Sequence, residues 1–159
     1  MVLKDLSGDT FYQWDISNSS GYIFTARNAT LDWSILSADP VNGTAVGTAF
    51  GAFLQGTTDS AANTFNESSY AATVAGVTIT DSVANSALYM ETTGANTWKQ
   101  QVLNVSNAAA AVRTMAFMCP IDDDAAGYNA STTDFQLLVP EDETDNNAAT
   151  VYYFYLQLD

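Results

Sequence analysis

Two runs of carboxylates are the residues in this chain best suited to chemistry. Asp122-Asp123-Asp124 is followed closely by Gly127 and Asn129, and Glu141, Asp142, Glu143 and Asp145 stand beside Asn146 and Asn147. Hard cations take several oxygen ligands, so clustered carboxylates on loops meet the first condition for a structural Ca2+, one that two subunits could share. Neither run has the spaced ligand order of an EF-hand loop, and a solvated acidic turn accounts for each run as well. Apart from that structural Ca2+, the sequence calls for no cofactor.

The remaining reactive types are sparse. Histidine is absent, which removes His-based triads, the commonest zinc ligand and the usual general base together. Cys119 is the single cysteine and lies in the apolar run Met115-Ala116-Phe117-Met118-Cys119, as a buried structural thiol would, so no internal disulfide exists. A glycosidase would need paired carboxylates, and Glu67 and Glu91 are the isolated acids that could serve, with nothing to fix their separation. The reading is therefore of a protein that is not an enzyme. Sugar binding needs only a flat aromatic platform. Trp14 and Trp33 fall on the apolar sides of their segments, which leaves Trp98, beside Lys99 near a turn, as the candidate glycan contact.

Charge narrows the partners. Four basic residues, Lys4, Arg27, Lys99 and Arg113, face eighteen acidic ones, for a formal net charge of -14. Such a chain does not neutralise phosphates, so neither nucleic acid nor an anionic membrane is expected as a partner. An acidic, lysine-poor surface also suits a marine or halophilic setting. No apolar run reaches the length of a membrane helix, and Met1 to Leu6 does not read as a signal peptide. Asn-x-Ser/Thr triplets begin at Asn18, Asn28, Asn42, Asn66, Asn104 and Asn129, a modest excess over the roughly two or three that so Asn-, Ser- and Thr-rich a composition gives by chance, and without a signal peptide they do not point to glycosylation.

The elements that position these residues read as strands. Thr10 to Ile16, Tyr22 to Thr25, Leu31 to Ile35, Thr73 to Thr80, Ser86 to Thr92, Thr97 to Val105, Val112 to Cys119 and Asp134 to Val139 carry alternating or continuous β-forming residues between turn signals. Leu31-Asp32-Trp33-Ser34-Ile35 is the cleanest alternation. Val112 to Cys119 is apolar on both faces except at Arg113 and Thr114, as in a central buried strand stopped by Pro120. Residues 42–56 fit either a strand or a helix, and the small side of either, with Gly47 and Gly51, lets another backbone approach closely.

The last stretch, Val151 to Asp159, is the densest in aromatic and β-forming residues. Alternation puts Tyr152, Phe154, Leu156 and Leu158 on a core face and Val151, Tyr153, Tyr155 and Gln157 on the other, which is too apolar for water alone. Val151, Tyr153 and Tyr155, with Gly47 and Gly51, are therefore the expected interface residues, and Asp134 to Val139 is the expected pairing partner of this strand. The sum is an all-β, single-domain β-sandwich of jelly-roll type spanning 1–159 with about eight strands.

An acidic, Ala/Thr/Asn/Ser/Gly-rich all-β chain with almost no lysine, long polar loops and a strand at its end resembles the virion structural proteins of tailed phages and archaeal viruses: head decoration or cement proteins and other capsid or tail components. That resemblance implies a homo-oligomer, often a trimer, made in the host cytoplasm, that binds other capsid or tail proteins and stabilises a lattice within the virion. A carbohydrate-binding or adhesin module and a filament or surface-layer subunit are the alternatives.

Overall fold

The computed structural model describes residues 2–4, 10–13, 20–41, 61–90, 98–106, 114–128, 131–139 and 151–159. Its organising element is β9 (Met115–Ile121), whose run MAFMCPI has apolar residues of both parities and is buried almost throughout. A strand that is apolar on both sides has to lie inside a sheet that is itself covered on both faces. β9 pairs on one side with β3 (Gly21–Ala26) and on the other with β8 (Lys99–Asn104), both antiparallel. The far side of β8 is shared by β7 (Ala87–Tyr89) and β4 (Ser37–Ala38), and the far side of β3 carries β12 (Tyr153–Leu158). These six strands form the main sheet.

Alternation sorts the core onto its two faces. On the first face Phe24, Ala26, Leu103, Val105, Ala116 and Met118 are buried beneath Leu36 and the hairpin of β5 (Ala72–Val74) and β6 (Val77–Ile79). That hairpin turns through Ala75 and Gly76, both with positive φ (48° and 79°), the backbone of a type I′ turn. On the opposite face Ile23, Val102, Met115, Phe117, Cys119 and Ile121 pack with Phe65 after the four-residue α1 (Ala61–Thr64), and with Phe135 and Leu137. The fold is all-β and sandwich-like, a sheet with a hairpin layered on it. Two further antiparallel pairs, β1 (Val2–Lys4) with β2 (Thr10–Gln13) and β10 (Ala125–Ala126) with β11 (Thr132–Thr133), complete the twelve described strands.

Several expected elements differ in kind. Leu31 to Ile35 keeps its alternation of half-buried and exposed residues, but the backbone over Trp33–Ile35 is a 3-10 turn. The Asp32 carboxylate accepts bonds from both the Ser34 N–H (3.0 Å) and the Ser34 hydroxyl (2.5 Å), a local bond that competes with a ladder. Thr73 to Thr80 is the β5–β6 hairpin, not one strand. Pro120 does not stop β9, because the β8 ladder ends at Gln101↔Met118 and the missing N–H falls beyond it. Residues 42–56, with Gly47 and Gly51, lie outside the described residues. Among the described residues no helix is long and apolar enough to cross a membrane.

Candidate assembly edge

β12 pairs with β3 in an unbroken register from Tyr153↔Ala26 to Leu158↔Gly21. The expected partner, Asp134 to Val139, follows β11, joins no ladder itself, and is fastened instead to β8. There the Gln100 side chain takes a strand's role: its amide donates to the Leu138 carbonyl and accepts from the Leu138 N–H, each at 2.7 Å. Gly21 is what lets β12 close on β3. Its φ of 131° and the space occupied by the Gln157 carbonyl exclude any Cβ.

The ladder geometry shows which backbone groups of β12 remain open. The Asp159 N–H donates to Ser20 O (3.1 Å), which makes Leu158↔Gly21 a non-hydrogen-bonded pair. By parity Tyr153, Tyr155 and Gln157 exchange bonds with β3, and the N–H and C=O groups of Phe154, Leu156 and Leu158 point away from the sheet. Among the described residues β12 has no other strand beside it.

Its side chains divide the same way. Tyr155 lies edge-on to Trp33 (ring centroids 5.2 Å), which lies edge-on in turn to Phe24 (5.2 Å), and the Tyr155 hydroxyl donates to Asn28 O (2.9 Å). Burial pushes the Tyr155 phenol up and Tyr153 adds to the shift, so it stays uncharged at neutral pH. Gln157 accepts from the Ala75 N–H (3.0 Å) and ties the strand to the hairpin tip. Between that tip, Trp33 and β12 runs a groove of about 530 Å³. On the other face Leu156 packs toward Trp98 and Cys119. At the N-terminal end Arg27 lies over the Tyr152 ring, 5.8 Å from its centroid.

Of the expected interface residues, Val151 (60 % exposed) and Tyr153 (41 %) are open to solvent. Tyr155 is not: its ring and hydroxyl are committed within the chain. Phe154 (52 %) and Leu158 (38 %), expected on the core face, are exposed instead. Among the described residues the sheet extends no further on that side, and nothing described covers them. Their neighbour Leu156 shares the parity and is half-buried, so period alone could not have separated them.

Trp98 is corrected as well. It is fully buried, with its indole N–H donating to Ala126 O (2.7 Å), because residue 98 points into the covered face between Ile23 and Ile121. A ring so enclosed offers no face to a sugar. Asp122, Asp123 and Asp124 form a turn stitched to Asp134, whose carbonyl accepts from the Asp122 N–H (3.0 Å) and whose carboxylate accepts from the Asp124 N–H (3.4 Å). Among the described residues no three carboxylate or thiol groups gather as a metal site. Glu141, Asp142, Glu143 and Asp145 lie outside the described residues, as does Glu91, while Glu67 bridges to Ala87 through its backbone. Compared with known protein families, with curated proteins and with solved structures, the chain matches none.

Proposed function

We propose that the chain is a non-enzymatic structural subunit that works by associating with copies of itself and with a larger lattice. The setting that its sequence character implies is a virus particle, with the chain as a decoration, cement or minor capsid protein. The observation that carries this reading is the edge of β12. A sheet edge with open backbone groups and exposed Val151, Tyr153, Phe154 and Leu158 is a template for association. Edges that must stay single are blunted by lysine, proline or bulges. Residues 151–158 contain none of the three and no charged side chain, although the whole chain carries -14. The lack of histidine supports a role in which binding, not catalysis, is the work.

The test is molar mass by light scattering after size exclusion, across a concentration series in high salt, with and without a calcium chelator. The expected result is a mass above the 17.0 kDa of one chain that grows with concentration and settles at a closed oligomer. Loss of that mass on chelation would put a cation from the acidic loops at the contact. A constant 17.0 kDa up to millimolar protein would remove self-association from the reading.

A further inference from the structure

We infer that the partner of β12 is the β12 strand of a second copy, laid antiparallel about a twofold axis at Leu156, so that two six-stranded sheets become one continuous sheet. This rests on the assembly reading above and specifies the contact and its register.

The parity of the ladder decides the register. Only Phe154, Leu156 and Leu158 have outward N–H and C=O groups, so an incoming antiparallel strand can satisfy all of them only by matching its own outward residues to these. A second β12 does so when Leu156 faces Leu156 and Phe154 faces Leu158 in both directions. Those side chains share one face of the sheet, so the cross-strand pairs there are entirely apolar. On the other face Tyr155 of each copy stands opposite Gln157 of its mate, beside the groove bounded by Trp33 and Ala75.

Charge also favours a second copy at this place. Two chains of -14 repel wherever their acidic surfaces meet, and β12 is an uncharged strip. With the axis at Leu156 the paired stretch runs from Tyr153 to Asp159, so Tyr153, Phe154 and Leu158 enter the contact and Val151 lies outside it; these three present on the order of 300 Å² per copy, against roughly 800 Å² per partner in a stable free-standing complex. The pair alone is therefore a weak contact, of the kind that a repeating lattice multiplies.

Single cysteines test the register, with the fully buried Cys119 left in place. In the hydrogen-bonded pair at the axis the two residues at 156 have Cα atoms about 5.5 Å apart, within disulfide range, whereas the two at 153 lie about 20 Å apart. Under mild oxidation Leu156→Cys is expected to give disulfide-linked dimer at least tenfold faster than Tyr153→Cys. Should Leu156→Cys fold poorly, Phe154→Cys mixed with Leu158→Cys is expected to give a heterodimer in its place. Equal rates at 156 and 153, or no mixed 154–158 product, would overturn the inference. If light scattering still shows oligomers in that case, the assembly reading stands on another surface. If it shows only monomer, both fall.

Discussion

Tyr70 is the residue at which the structure gives up stability most visibly. Its ring packs against the core on the hairpin face, and its hydroxyl is buried with no hydrogen-bond partner among the described residues. A buried hydroxyl without a partner costs about 1–3 kcal/mol of lost hydration. Tyr70→Phe keeps the ring and removes the orphan, so it is expected to raise the unfolding free energy by about 1 kcal/mol in a urea titration. The same substitution changes the alkaline limb. Burial pushes the Tyr70 phenol above its ordinary 10.0, with Cys119 and Tyr22 adding to the shift. A pKa raised on folding leaves stability full below the unfolded value and erodes it as pH rises past that value. Wild-type protein should therefore lose stability above about pH 10 more steeply than the Phe variant. Parallel slopes would show that the phenol ionises equally in both states. Tyr155 differs in that its hydroxyl holds Asn28 O, so removing that oxygen loses a bond.

At the scale of elements the decisive contact is one that hydrophobic period cannot reveal. Gln100 sits on β8 with its amide paired to both backbone groups of Leu138, and so fastens an extended segment to a sheet it does not join. Gln100→Leu fills the space but orphans the Leu138 N–H and C=O. The expected loss is about 2–4 kcal/mol, read as a lower urea midpoint, together with faster amide exchange at 136–139. A neutral result would mean that the segment is held by Phe135 and Leu137 alone. Sequence reading found β2, β3, β7, β8, β9 and β12 from their β-forming content; in β3, β7, β8 and β9 apolar content also agrees with burial, whereas in β12 it does not, since Phe154 and Leu158 are exposed. It also placed the half-buried side of Leu31 to Ile35 correctly while mistaking the backbone, since a capped 3-10 turn can mimic period two over five residues. Pairing was legible where Gly94-Ala95-Asn96 marks a hairpin turn between two strands, since β7 and β8 do pair antiparallel, but it was not legible for the last strand. Asp134 to Val139 looked like the mate of the last strand by proximity along the chain, and the amide that placed it elsewhere is a polar residue in a strand. The candidate site was half legible. The strand at the open edge was singled out by its composition, but which of its residues face water depends on where, among the described residues, the sheet ends. Trp98, read as exposed from its neighbour Lys99, is turned inward by a parity that sets it on the opposite face from the half-buried Lys99.

For the molecule as a whole, electrostatics opposes what the edge favours. Two copies at -14 approach through long-range repulsion, and the paired stretch carries no cation and, as its one charged side chain, Asp159 opposite Tyr153 of the mate, so salt acts on the repulsion without weakening the pairing. The screening length falls from about 10 Å at 0.1 M to about 3 Å at 1 M salt. Self-association measured by sedimentation equilibrium should therefore strengthen as sodium chloride rises over that range, by roughly tenfold if about 1.4 kcal/mol of repulsion is removed. Apolar contacts are not salted out by chloride to that degree, so the slope reports charge. Association that weakens with salt would mean that an ion pair closes the contact, using one of only four basic side chains. Calcium chloride at matched ionic strength separates screening from binding. If it does no more than sodium chloride, the acidic runs act as a diffuse field. If millimolar calcium outperforms molar sodium, carboxylates from the 122–124 turn or the 141–145 run coordinate the ion, and assembly depends on its supply.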